Sequence, residues 1–284
     1  MSDQILFVIG LIGVALFWFL LYDSRRFVVV SYTFADPRIR RAYRAVVLAD
    51  LHNRQYGKDN AFLLKAVREQ SPDGIFIAGD MLTAKAGEDF APALALLKEL
   101  ARDYPVYYAY GNHEQRLCRR PQVYGTMALD YETALGELGV RRLHNAHAAL
   151  PEINLTVYGL EIGEGYYRRG SSPPMEETYL TGLLGRPEPG SCRLLLAHHP
   201  DYFPQYARWG ADVVFAGHIH GGIVRLPFGR GVLSPSMRLF PRYDGGEFRE
   251  GNSTMYLSRG IGMHTIPLRL FNPSEVLVVD FLPK

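Results

Sequence analysis

The stretch "VVLADLHNRQYGKDN", Val46–Asn60, begins as a buried β-strand and changes character where the strand should end. Its first residues are apolar and largely β-branched, which is typical of a central strand that is covered on both faces. Asp50 and His52 then follow, two residues apart. In open α/β sheets, ligands bind beyond the carboxyl ends of the strands. This stretch therefore predicts an α/β sheet with a ligand site at its edge.

The same pattern returns four more times along the chain. The apolar runs "GIFIAGD", "VYYAYGNHE", "RLLLAHH" and "DVVFAGHIH" each lead into polar residues of the types that serve as metal ligands. These residues are Asp80, Asn112, His113, His198, His218 and His220. Helical patterns at 59–70, 90–103 and 126–138 separate the early strands, and "LTVYGL", "TMYLSRG" and "EVLVVDF" are further strand candidates. We therefore expect two packed sheets with helices outside them.

Composition limits the classes of function. The chain has 284 residues and 48% hydrophobic content, which is ample for a core. Its 31 Lys and Arg residues nearly balance 29 Asp and Glu residues, so bulk charge does not indicate a nucleic-acid partner. Cys118 and Cys192 lie far apart and fit neither a disulfide framework nor a paired metal knuckle.

The N-terminus carries an apolar run, Ile5–Tyr22, of 18 residues without a charge. That length nearly spans a bilayer core of about 30 Å, so the run predicts a transmembrane helix. A signal peptide is the alternative, but it requires a basic region before the run and small residues at a cleavage site. A buried core helix is a second alternative, and it would show a polar face.

Six arginines follow this run between residues 25 and 44, and no Lys or Arg precedes it. The positive-inside rule then places the downstream chain on the cytoplasmic side of the membrane. We expect a transmembrane anchor at 1–24, a basic juxtamembrane linker at 25–43 and a catalytic domain at 44–284.

The motifs "DLH", "GD", "GNHE", "AHHP" and "GHIH", in this order, resemble the five motifs of the calcineurin-like metallophosphoesterases. The resemblance covers about residues 44–280. "DLHNRQYGKDN", "FIAGDML" and "AYGNHEQRL" are similar to the membrane-anchored bacterial branch of that family. The resemblance to the family implies a four-layer α/β/β/α sandwich with two metal ions between the sheets.

The resemblance also implies a ligand set for each ion. Asp50, His52 and His220 would hold one ion, Asn112, His198 and His218 the other, and Asp80 would bridge them. Two divalent cations about 3.5 to 4 Å apart supply a bridging hydroxide and a clamp on the phosphoryl group. Carboxylate, amide and imidazole ligands without thiolate suit Mn, Fe, Zn or Co, and we expect Mn.

The spacing of the "HIH" motif, residues 218–220, carries a structural requirement. Side chains at i and i+2 can serve different ions only if the backbone departs from a regular strand. Gly217, Gly221 and Gly222 around the motif permit that departure.

The resemblance gives His113 a catalytic role, either as proton donor to the leaving oxygen or as stabiliser of the phosphoryl group. The alternative is a structural histidine paired with a carboxylate such as Glu114. In "AHHP", the family pattern selects His198 as ligand, so His199 would point elsewhere or approach the substrate. The candidate substrate contacts are Arg54, Arg116, His199 and His264.

Three functional hypotheses follow. The first is a membrane-anchored hydrolase of a phosphate ester or pyrophosphate, with a lipid-linked substrate such as UDP-diacylglucosamine by analogy with family members. The second is a phosphodiesterase or phosphatase that acts on soluble nucleotides or phosphoproteins. The third is a non-catalytic scaffold, which the presence of every expected ligand disfavours.

Overall fold

The computed structural model describes residues 3–168, 170, 172–222, 224–226, 229–234, 238–263 and 268–284. Its α-helices are α1 (Asp3–Arg25), α2 (Ala61–Glu69), α3 (Ala91–Asp103), α4 (Asn112–Arg119), α5 (Pro121–Tyr124), α6 (Met127–Glu137), α7 (Glu177–Leu184) and α8 (Phe203–Trp209). Its strands are β1 (Phe27–Asp36), β2 (Tyr43–Leu48), β3 (Gly74–Ile77), β4 (Val106–Tyr108), β5 (Arg141–Arg142), β6 (Ala146–Leu150), β7 (Leu155–Leu160), β8 (Cys192–Ala197), β9 (Val213–Ala216), β10 (Val224–Arg225), β11 (Gly231–Leu233), β12 (Gly246–Glu250), β13 (Ser253–Leu257) and β14 (Ser274–Pro283).

Most strands belong to two six-stranded sheets. The first has the order β1-β14-β2-β3-β4-β5, and the second has the order β12-β13-β9-β8-β7-β6. Strands β2 to β5 run parallel in the first sheet. Strands β7, β8, β9 and β13 run parallel in the second. Parallel neighbours end at the same edge of a sheet, so each sheet brings several strand ends together.

Three apolar clusters separate four layers. Along β2, Val46 and Leu48 pack towards the helices that include α2 and α3, whereas Ala45 and Val47 pack between the two sheets. This alternation is the period-two geometry of a strand that is buried on both faces. A third cluster lies between the second sheet and the helices α7 and α8. The predicted α/β/β/α sandwich is confirmed.

Strand β1 lies in the segment that we expected to be a linker, and this expectation was wrong for residues 27–36. The strand pairs in parallel with β14 over ten residues, from Phe27 opposite Ser274 to Asp36 opposite Pro283. It forms an edge of the first sheet, and its side chains alternate between half-buried and exposed over most of its length. The nearby arginines in the sequence obscured this alternation.

The run "VYYAYGNHE" is also divided differently from the prediction. Strand β4 ends at Tyr108, and α4 begins at Asn112. His113 therefore lies in the first turn of a helix rather than at the end of a strand or in a loop.

Helix α1 contains the predicted transmembrane run and extends it at both ends. It is long and apolar enough to cross a membrane, with a mean hydropathy of 2.7 over its most apolar window. Among the described residues, α1 alone meets this criterion. Length and composition support an anchor by themselves only weakly.

Candidate metal centre

The polar residues predicted from the strand ends converge at one end of the sandwich. Asp50 follows β2, Asp80 follows β3, and Asn112 begins α4 just beyond β4. His198 follows β8, and His218 follows β9. Strands β2, β3 and β4 are neighbours in one sheet, and β8 and β9 are neighbours in the other. The two sheets thus present their ligand-type residues to a shared crevice.

The backbone is left-handed at five of the seven candidate ligand positions. The φ angle is 54° at Asp50, 49° at His52, 55° at Asp80, 73° at His218 and 54° at His220. Such values are uncommon for residues other than glycine and cost about 1–3 kcal/mol each, so they concentrate at functional sites. The "HIH" motif does depart from a regular strand, as its spacing requires.

One glycine shows how tightly the loops are packed. Gly79 has a φ of 90°, and a Cβ atom built on it would lie 2.5 Å from the backbone nitrogen of Gly111. The loops after β3 and β4 can therefore approach each other only because this position carries no side chain.

In the part of the chain that the structure describes, the ligand-type atoms form three overlapping groups, each with its atoms within 4.8 Å of one another. The groups are Asp50 with His52 and His220, Asp80 with His198 and His218, and His52 with Asp80 and His113. The first two repeat the division into two ion sites that the resemblance implies. The third shares His52 with the first group and shares Asp80, the residue expected to bridge the ions, with the second.

Several atoms that carry lone pairs face each other at short range. His52 Nε2 lies 3.1 Å from His220 Nε2, and His220 Nε2 lies 3.3 Å from Asp50 Oδ1. His198 Nε2 lies 3.1 Å from Asp80 Oδ2. A positive charge between such atoms turns their mutual repulsion into attraction.

Two buried atoms show whether these residues are suited to hold a metal ion. His198 Nδ1 donates to the carbonyl oxygen of Ala78 at 2.6 Å, which leaves Nε2 as the ligand atom of the neutral ring. Among the described residues, Asn112 Oδ1 has no hydrogen-bonding partner, and His198 Nε2 forms no hydrogen bond of good geometry although Asp80 Oδ2 lies 3.1 Å away. Buried polar atoms rarely stay unsatisfied. The donor set of imidazole, carboxylate and amide fits a divalent cation.

The electrostatics of the crevice favour positive charge. Burial raises the pKa of Asp50 above its usual value. Burial acts in the same direction on Asp80, but the imidazoles of His198 and His113 hold the pKa of Asp80 well below its usual value. Burial acts to lower the pKa of His198, whereas the charge of Asp80 raises it to about 10. Asp80 is thus ionised, and its charge favours a positive charge on its neighbours.

His113 is held by two hydrogen bonds with backbone groups. Its own amide donates to Asp80 Oδ1 at 2.8 Å, and its Nδ1 accepts from the amide of Ala84 at 2.9 Å. Because Nδ1 is an acceptor, the neutral ring carries its proton on Nε2. That arrangement suits a hydrogen donor better than a metal ligand.

Glu114 lies beneath the centre and does not pair with His113. Its carboxylate accepts from the amides of Asp80 at 3.0 Å, Met81 at 2.7 Å and Gly111 at 2.9 Å, and from the Tyr108 hydroxyl at 2.6 Å. Burial, followed by the charge of Asp80, raises the pKa of Glu114 to about 7. Glu114 ties together the loops that carry Asp80 and Asn112.

The structure describes three of the four candidate substrate contacts, and these three lie in different surroundings. Arg116 lines a small cleft beside Asn112, together with Arg119, Glu164 and Tyr167. His199 is buried, its Nδ1 accepts from the amide of Asp201, and its ring centre lies 4.6 Å from that of His218. Arg54 donates instead to the backbone oxygen of Ser24 at the end of α1. His264 lies outside the described residues.

Sequence reasoning missed Arg269, which is almost fully buried at 3% exposure. Its guanidinium lies 3.4 Å from His220 Nδ1 and donates to the carbonyl oxygens of Gly262 and Arg259 at 2.7 and 2.8 Å. It stands 49 positions from His220. No motif marks it, so only the fold reveals the contact.

Known proteins resemble this chain along most of its length. It is 26% identical to the Campylobacter jejuni metallophosphoesterase Cj0846 over 87% of this chain, and it spans 61% of that protein. It is 27% identical to phosphodiesterase YaeI of Escherichia coli, covering 84% of this chain and 82% of YaeI. It is 23% identical to UDP-2,3-diacylglucosamine pyrophosphatase LpxG of Chlamydia muridarum, covering 84% of this chain and 83% of LpxG.

The sequence profile described as calcineurin-like phosphoesterase matches residues 43–222, which include all five motifs. This match covers more than half of the chain. With the ligand groups at the strand ends of a two-sheet sandwich, the chain belongs to the calcineurin-like phosphoesterase family.

Proposed function

We propose that the protein is a membrane-anchored, two-metal hydrolase of a phosphate ester or pyrophosphate. The observation that carries the proposal is a pair of adjacent ligand groups, with Asp80 Oδ2 lying 3.1 Å from His198 Nε2 of one group and 4.0 Å from His52 Nε2 of the other. A non-catalytic scaffold has no need for this arrangement. The relatives YaeI, a phosphodiesterase, and LpxG, a pyrophosphatase, have names that describe the same class of reaction.

Each ion would have its own ligands. Asp50, His52 and His220 would hold one, and His198, His218 and Asn112 the other, with Asp80 contributing to both. We propose Mn as the metal of choice, with Zn, Fe and Co as alternatives for the same donor set. Divalent cations bound there would neutralise phosphate oxygens and make water a stronger nucleophile at neutral pH.

The chain's own residues would then position the reacting groups. His113 presents an Nε2–H donor from a ring fixed through Nδ1 by Ala84, so it would donate to a phosphoryl or leaving oxygen. The same residue's amide holds Oδ1 of Asp80 and so orients the bridging carboxylate. Arg116, in the adjoining cleft, is placed to contact an anionic part of the substrate.

We propose a phosphorylated lipid as the substrate class. Helix α1 would hold the enzyme at a bilayer, and the name of the relative LpxG refers to a diacylated sugar nucleotide. The arginines that follow α1 support a catalytic domain on the cytoplasmic side. We include β1 in that domain because the strand belongs to the first sheet.

A substrate panel on metal-reconstituted, full-length protein tests the proposal. The panel contains an aryl phosphodiester, an aryl phosphate, nucleotides and a diacylated sugar nucleotide in vesicles, each with Mn and with Zn. We expect metal-dependent turnover, with the lipid preferred. Turnover confined to soluble nucleotides would replace the lipid with the second hypothesis, and no turnover of any substrate with either metal would contradict the proposed hydrolase.

A further inference from the structure

The end of helix α1 is fastened to the catalytic domain. The backbone oxygen of Ser24 accepts from Arg54, two residues after the candidate ligand His52. The Ser24 hydroxyl accepts from the amide of Arg269 at 2.9 Å. The rings of Phe19 and Phe271 also lie 5.5 Å apart. These contacts make the helix end part of the domain surface rather than the start of a flexible tether.

A single arginine side chain connects this surface to the metal centre. Arg269 bonds to Ser24 through its backbone amide, and its guanidinium reaches His220 Nδ1 at 3.4 Å. Asn272, three residues on, donates to the backbone oxygen of His220 at 2.7 Å. The apolar run of α1 ends at Tyr22, so a single arginine side chain separates the centre from the residues just beyond that run.

Exposed apolar side chains collect in the loops beside this helix end. Outside α1, eight large apolar residues are exposed among those described. Four of them, which we call the loop face, are Leu226, Leu239, Phe240 and Leu268, with exposures of 52%, 69%, 59% and 43%. Singly exposed apolar residues are ordinary, but a group of them marks an interaction surface.

Backbone hydrogen bonds connect the loop face to the helix end. Leu268 precedes Arg269, whose amide bonds to Ser24. Leu226 follows Arg225, whose amide donates to the Leu270 oxygen at 3.2 Å. Strand β10 pairs with β11, and the amide of Phe240 donates to the oxygen of Val232 in β11 at 2.9 Å.

We propose that the loop face inserts into the headgroup region of the bilayer that α1 spans, so that the metal centre works at the membrane surface. The inference rests on the proposed membrane anchoring and adds a second, reversible contact to it. Apolar side chains with nearby cations suit that boundary, and Arg230 and Arg242 are exposed in the same loops. The substrate would then present its phosphate at headgroup level.

Depth-dependent fluorescence quenching tests this contact without requiring activity. The full-length protein, in a Cys118→Ser background that leaves only the buried Cys192, receives single substitutions for labelling. The labelled positions are Leu226→Cys, Phe240→Cys and Leu268→Cys in the loop face, Leu16→Cys in α1 and Leu129→Cys as a control. The exposed fraction of Leu129 is 66%, similar to the 69% of Leu239 in the loop face. Leu129 lies in α6, however, which packs beside β5 at the opposite edge of the first sheet from β1.

The proteins are reconstituted in vesicles of phosphatidylcholine and phosphatidylglycerol with brominated acyl chains. We expect loss of emission at α1 and at the loop face, and none at Leu129. Quenching at α1 with loop-face signals equal to that of Leu129 would overturn the inference and leave the anchor standing. No quenching at α1 would reject the proposed anchoring and the inference with it.

Discussion

Replacing Glu114 with glutamine should destabilise the protein although the change keeps the shape of the side chain. The carboxylate accepts four hydrogen bonds, from three amides and the Tyr108 hydroxyl. A glutamine offers one oxygen to these donors, and its NH₂ group would face two of them. At pH 8, above the pKa of about 7 for Glu114, the native carboxylate is ionised and accepts all four.

The magnitude follows from the number of donors left without an acceptor. Each unsatisfied buried donor costs about 1–3 kcal/mol, so two of them cost about 2–6 kcal/mol. Glutamine also removes a buried charge, and because the folded-state pKa of Glu114 is raised, the ionised carboxylate itself costs the folded protein some stability at pH 8. We therefore expect a net loss of about 1–3 kcal/mol, which is still a measurable share of the roughly 5–15 kcal/mol by which proteins are stable. The packing contribution is small, because Glu114→Gln changes neither length nor volume appreciably.

Urea unfolding of the detergent-solubilised protein at pH 8 measures the change. The control is Glu99→Gln, a partly exposed residue paired with Arg68 and Arg102, for which we expect less than about 1 kcal/mol. A midpoint for Glu114→Gln as close to wild type as that of the control would refute the reasoning.

Three further predictions address the centre and the sheet. Asp80→Asn should lower bound metal and turnover together, and two retained ions with a near-normal rate would exclude a bridging role. His113→Ala should keep both ions, measured by mass spectrometry, and lose about 10²- to 10⁴-fold in rate, whereas the exposed His147→Ala should match wild type. Loss of metal in His113→Ala would instead make His113 a ligand. A chain lacking residues 1–36 should aggregate because the edge of β14 is uncovered, whereas one lacking 1–25 keeps β1 and should give the circular dichroism of a folded protein. Equal solubility of the two would show that β1 is dispensable.

The site residues were predictable because each motif combines a buried strand with a polar residue at its end. Residues 45–49 before Asp50 and Val213–Ala216 before His218 are all apolar, and parallel strands bring such ends together. The order of the five motifs indicated the family, and the family in turn implied the four-layer α/β/β/α sandwich. Local pattern and global fold agree most closely at this edge of the sheets.

Other features depend on contacts that no local pattern encodes. The proton on His113 Nε2 follows from the amide of Ala84, and the orientation of His198 follows from the carbonyl of Ala78. Arg269 reaches His220 only through the fold. Strand β1 has a different reason: "FVVVSYTFAD" is rich in β-branched and aromatic residues, as a strand should be, but the arginines on both sides of it are typical of a juxtamembrane linker.

The most direct test of the central claim is the number of divalent ions per chain, measured together with activity. We expect the full-length protein, loaded with Mn and freed of excess metal, to hold two ions and to hydrolyse an aryl phosphodiester. Stripping the metal should abolish turnover, and adding it back should restore both the two ions and the rate. A metal-free protein that turns over at the original rate, or a loaded protein that holds no ion, would contradict the account.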